Sequence, residues 1–201
     1  MRPVLLAALL FAAGVATGPA FAIPFEDPAT GFKVDPPAPY FVRPAKSNHY
    51  DEVVVVNSAT GSPSAGLGDK YLCQVGFKAQ PGSAELNQEE INLQVQQPDW
   101  LSNAAAALSQ SFDITSKTTF VLDGATGIEL VGLPKGGQGA GVFISMIDTP
   151  AGRTTLNCAT PSDELAGAVN QFRLIRASIT LPTIAPAQAT SPDSPGPAAN
   201  P

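Results

Sequence analysis

Between residues 113 and 158 the chain carries three successive turn signals. "TTFVLDGATGIELVG" (118–132) sets Asp123-Gly124 between two strand-like runs. "LPKGGQGAGVFISMIDT" (133–149) sets a glycine-rich segment between two more, and "DTPAGRTTLNC" (148–158) turns through Pro150 and Gly152. Asp-Gly between β-branched and apolar runs is a strong hairpin signal, and connections this short leave neighbouring strands antiparallel. The section is therefore predicted to be a β-meander. A meander has apolar faces that other elements must cover, and this restricts the fold more than any other feature of the chain.

A helix is predicted to follow directly, over about 161–176. Thr160 is placed to be its N-cap and Pro161 its first residue, where a missing N–H costs nothing. Asp163 and Glu164 suit the helix N-terminus, and Arg173 and Arg176 suit its C-terminal end. Leu165, Ala168, Val169, Phe172, Ile175 and Ile179 form one apolar stripe.

Upstream, "DEVVVVNS" (51–58) reads as a strand buried on both faces. "KYLCQVGFKA" (70–79) alternates, with Tyr71, Cys73, Val75, Phe77 and Ala79 on one face. "ELNQEEINLQV" begins a helix in which Asn87 and Glu90 have capping-box spacing. "PDWLSNAAAALSQSF" continues helically, with Leu101, Ala104, Ala105, Leu108 and Phe112 at helical spacing. "GFKVDPP" allows a short strand at 32–35 before prolines end it. The order is strands, helices, meander, helix. It predicts an α+β sandwich: one antiparallel sheet covered by helices.

The ends of the chain differ from this core. Met1-Arg2, the apolar run at 4–16 and the Ala20/Ala22 spacing read as a secretory signal cut after Ala22. The run is shorter than the ~20 residues of a spanning helix. Residues 23–30 read as a proline-rich arm, 31–181 as a single domain, and 182–201, rich in Pro, Ala and Ser, as a disordered tail. The expected location is periplasmic or secreted, with no membrane span after signal cleavage. The net charge is −6, and it becomes more negative once Arg2 leaves with the signal. Such a chain is a poor nucleic-acid binder, because that binding rests on clustered Lys and Arg.

The "GFKVDPP" opening, the hairpin "TTFVLDGATGIELVG" and the closing "GVFISMIDTPAGRTTLNCATPSDELAGAVNQFRLIRASITL" together resemble the PsbP-like family. In that family a meander's last strand leads into a long helix ending in an F..I..S phrase, matched here by Phe172, Ile175 and Ser178. The resemblance implies an αβα sandwich and adaptor or accessory-subunit roles. It carries no catalytic motif. The acidic chain and proline-rich start depart from the photosystem subunit, so that subunit's role is not carried over.

Cys73 and Cys158 both face inward in this reading. In an exported protein they are either a disulfide, favoured here, or unpaired core thiols. A bond closing so long a loop contributes on the order of 4–5 kcal/mol. His49 lies in "KSNHYDE" beside Ser47 and Asp51, but neighbours in one loop rarely make a triad. The segment "PKGGQGAG" has Lys135 before its glycines, against the phosphate-loop order. Lys135, Gly136, Gly137, Gln138 and Gly139 are instead a hairpin loop and a candidate partner or ligand contact. Trp100 is a core plug or, if exposed, a second contact. Glu85, Glu89 and Glu90 read as a solvated helix start.

No catalytic residue, metal ligand or cofactor is expected. The favoured function is a non-catalytic adaptor or accessory protein that binds another envelope protein. A ligand-binding domain, with a pocket between sheet and helices bordered by the 134–141 loop, is the alternative. An unrecognised hydrolase-type enzyme is the third reading.

Overall fold

All three hairpins of the meander form in the computed structural model of the protein, which describes residues 23–66 and 70–183. The signal read at 1–22 and the tail from 184 onward lie outside the described residues. Strands β6 (Phe112–Leu122), β7 (Ala125–Pro134), β8 (Ala140–Thr149) and β9 (Gly152–Pro161) pair in sequence order, each antiparallel to the next. Asp123 and Gly124 both take positive φ, 49° and 79°, as a tight two-residue hairpin turn requires.

The sheet extends beyond the meander. Strand β5 (Cys73–Ala79) pairs with β9, β4 (Glu52–Ser58) with β5, and β3 (Tyr40–Pro44) with β4. The result is a seven-stranded sheet in the order β3-β4-β5-β9-β8-β7-β6. Cys73 stands directly opposite Cys158 in the β5–β9 ladder, and the two form a disulfide across a sequence separation of 85.

Period-two alternation gives the sheet two faces. Val54, Val75, Phe143, Ile147 and Leu156 belong to the larger apolar cluster, which is covered by α3 (Leu165–Ala177). Leu165, Ala168, Phe172 and Ile175 of α3 are buried there. The opposite face carries α1 (Gln88–Val95) and α2 (Pro98–Leu108) over a smaller cluster of Ile91, Val95 and Ile128. This is an α+β fold layered as helix, sheet, helix.

Asn87 caps α1 as its spacing predicted: its side chain accepts from Glu90 N, and the Glu90 carboxylate accepts from Asn87 N. Pro98 opens α2 as a separate helix. Of the stripe expected there, Ala105 alone is fully buried, and Phe112 already belongs to β6.

Two expectations are corrected. The last helix begins at Leu165 with Glu164 as N-cap, not at Pro161 behind Thr160. Thr160 and Pro161 still pair with Gly141 and Ala140 of β8, and Thr160 is fully buried. Ladder hydrogen bonds and burial hold these residues in the sheet, and a local capping preference of about 1 kcal/mol does not displace them. The expected single sheet is also joined by a second. Strands β1 (Phe25–Glu26), β2 (Lys33–Val34) and β10 (Ile179–Thr180) form a small sheet, and Phe25 packs on the main core.

Candidate functional site

The seven-stranded sheet ends at β6, and that end is open. β6 is 11 residues long, and none of its residues makes a backbone hydrogen bond outside the β6–β7 ladder among the described residues. One edge of a long strand is therefore left with free N–H and C=O groups. Such an edge is a template for another chain unless something guards it. Two guards are present: the register shifts between Ile114 and Ser116, and exposed Lys117 sits mid-strand without an ion pair among the described residues.

Beside this edge lies a groove of about 330 Å³ between the strand pair β6–β7 and the flank of α3. Val131 and Leu133 of β7 form its floor, Leu165 and Val169 of α3 its wall, Ser116 its rim, and Arg173 its far end. The groove exists because α3 packs over β8 and β9 and leaves the outer strands partly uncovered. Ser162 borders its near end, where its N–H and hydroxyl both donate to the Gly139 carbonyl, the latter at 2.7 Å.

The far end is charged. Glu129 of β7 points toward α3 and is 1 % exposed. Arg173 Nη2 donates to it at 2.6 Å and Arg176 Nη1 at 2.5 Å. Burial acts to raise the Glu129 pKa, but the two guanidinium groups outweigh it and hold the carboxyl below the ordinary glutamate range. Arg176 also lies 3.7 Å over the Phe120 ring of β6 and is only 13 % exposed in its side chain. Arg173 stays 42 % exposed in its side chain. Two cations against one anion leave this end of the groove net positive on an otherwise acidic protein. Arg173 and Arg176 were legible only as residues late in a helix, and nothing local marked Glu129 as their partner.

The glycine-rich loop, Lys135 to Gly139, is the exposed β7–β8 turn. Gly136, Gly137 and Gly139 all have positive φ there. Lys135 N–H donates to the Ser111 carbonyl just before β6, so the loop is tied to the start of the open edge strand. Trp100 lies elsewhere. It packs half-buried with the α1 cluster, 5.5 Å from the Arg153 guanidinium, which pairs with Asp148 at the opposite end of β8 from the loop.

The triad-like loop does not assemble. Ser47 Oγ accepts from the His49 backbone N–H, and Asp51 is taken up by Lys78 Nζ at 2.7 Å and Ala79 N at 2.8 Å. Those bonds hold the Asp51 carboxyl below its ordinary pKa. His49 borders a second cleft of about 560 Å³ between α2 and the other face of the sheet. Leu130, Ile144 and Met146 floor that cleft, with Lys78 and Arg153 at its rim. Among the described residues, no cluster of three His, Cys, Asp or Glu could hold a metal ion, and no helix is long and apolar enough to cross a membrane.

No family model matches the chain, and no curated protein matches it. Solved structures do. LpqN, involved in cell envelope biogenesis of Mycobacterium tuberculosis, aligns over 80% of this chain and 90% of its own at 14% identity, with a TM-score of 0.49. Cyanobacterial PsbP (CyanoP) from Synechocystis sp. PCC 6803 aligns over 85% of this chain and 98% of its own at 12% identity, with a TM-score of 0.51. With its antiparallel sheet between helical layers, the chain has a PsbP-like fold.

Proposed function

We propose that the protein is an exported, non-catalytic accessory protein that binds an extended segment of another envelope protein. The observation that carries this reading is the open β6 edge with a groove beside it. Strand addition to a sheet edge is a general mode of peptide recognition: main-chain bonds supply affinity and neighbouring pockets supply selectivity. The guards on β6 fit this use, because a bulge and a mid-strand lysine suppress pairing between two copies of the edge. Two antiparallel copies centred on Lys117 would set like charges opposite one another. The Cys73–Cys158 disulfide and the signal-like start support export.

Lys117→Cys provides the test. It introduces a lone free thiol, since both natural cysteines are paired. Labelled with a photo-crosslinker and introduced into the envelope of the native host, it should give one discrete adduct mapping to one extended segment of a partner. The same label at Arg43→Cys, on the opposite edge strand β3, should not. Adducts from β3 as strong as those from β6, or none from β6, overturn the reading.

The cleft under α2 favours a second reading, a small-ligand-binding domain. Its size falls in the range of ligand pockets, and it combines an apolar floor with a polar rim. A ligand that raises the melting temperature, and loses that effect in Met146→Trp, would support this reading.

A further inference from the structure

We infer that the groove between β6–β7 and α3 selects its peptide by two side chains on one face of the added strand: a bulky apolar anchor and, two residues away, a carboxylate. This rests on β6 being the docking edge.

The spacing follows from the geometry. Along β7, Leu133, Val131 and Glu129 point to the α3 side in succession, and α3 runs beside them from Leu165 through Val169 to Arg173. Four strand residues cover about 14 Å and eight helical residues about 12 Å, so strand and helix keep pace along the groove. Val131 is paired with Ser116 and Glu129 with Thr118. A strand added outside β6 would place a side chain opposite Ser116 and the next on that face opposite Thr118. Both residues are short, so a large apolar side chain opposite Ser116 can extend over it toward the groove. A carboxylate opposite Thr118 meets the positive end.

The donors for that carboxylate are present. A guanidinium has five N–H groups. Arg173 commits Nε and one Nη2 hydrogen to Glu129 and one Nη1 hydrogen to Asn170. Two N–H groups remain, on a side chain that is 42 % exposed. Arg176 neutralises Glu129 from below, so an incoming carboxylate faces net positive charge.

The experiment uses the full chain and synthetic peptides in a Thr/Ser background. Leu, Phe or Trp occupies the centre, and Glu lies one, two or three residues away on either side. Binding is read by fluorescence anisotropy up to millimolar concentration. Peptides with Glu two residues from the anchor should bind about tenfold tighter than those with Glu one or three away, because odd spacing turns the carboxylate to the other face. Changing that Glu to Gln should remove the advantage. Ala166→Trp places a large side chain from exposed Ala166 into the groove, and it should abolish binding while the circular dichroism spectrum and melting temperature hold.

Equal binding at all spacings, or unchanged binding to Ala166→Trp, overturns the selection rule. If alternate N-methylation of the same peptide still abolishes that binding, strand addition itself survives. If N-methylated peptides bind equally well, both fail. No binding by any peptide overturns the selection rule, and the Lys117 cross-link then judges the β6 reading separately.

Discussion

The guanidinium of Arg176 lies 3.7 Å from the centre of the Phe120 ring while its Nη1 donates to Glu129 at 2.5 Å. One side chain from the last turn of α3 thus touches both β6 and β7. It anchors the helix over β7 and reaches β6, and it fixes the charged end of the groove.

Removing the carboxylate at the centre of that contact should be costly. Glu129→Gln leaves Arg176 largely buried without a counter-charge, and breaking a buried pair by deleting one partner costs roughly 3–5 kcal/mol. Urea denaturation should show a loss of about 3 kcal/mol with an unchanged m-value. A loss under about 0.5 kcal/mol would mean that water reaches the cluster and the contact is weak.

The same cluster sets a pH dependence. The folded-state pKa of Glu129 is lowered, so the unfolded chain binds its proton more readily than the folded one. Its contribution is complete above the ordinary glutamate range and is lost as pH falls through the lowered folded value. Stability measured from neutral pH down into the acid range should fall there, and Glu129→Gln should flatten that part of the decline. A parallel decline in both proteins would assign the effect to other carboxylates, such as Asp51.

Reducing the disulfide should destabilise the protein strongly, because a sequence separation of 85 closes a long loop in the unfolded chain. Chain-entropy reasoning puts the loss at about 4–5 kcal/mol. The Cys73→Ala, Cys158→Ala double variant should lower the denaturant midpoint accordingly. A shift worth under about 1 kcal/mol would mean that the β5–β9 ladder closes the loop without help.

Asn87→Ala removes one half of the capping box on α1 and should cost about 1 kcal/mol. Asn87→Asp retains the acceptor and should restore most of it. The comparison by thermal melting separates a lost cap from a general loop effect.

The elements legible in the sequence were those whose signals act over a few residues. Asp123-Gly124 gave the hairpin, Asn87 and Glu90 the cap, and alternation in 73–77 and 154–158 turned Cys73 and Cys158 toward one core. Capping preference points to Thr160 as the start of α3 because it is local, whereas the β8 partners that keep Thr160 and Pro161 in the sheet lie 19 and 21 residues away in sequence.

The sequence by itself determined the class of fold and the facing of both cysteines, because period-two and period-3.6 patterns need no knowledge of distant partners. The tertiary structure alone decided which strand became the open edge, how much of β7 escaped cover by α3, and that Glu129 would be buried against arginines 44 and 47 residues away. A charge amid apolar neighbours reads as a solvated strand position until its partners are known. Its burial is possible only because two cations from α3 offset the cost of removing it from water.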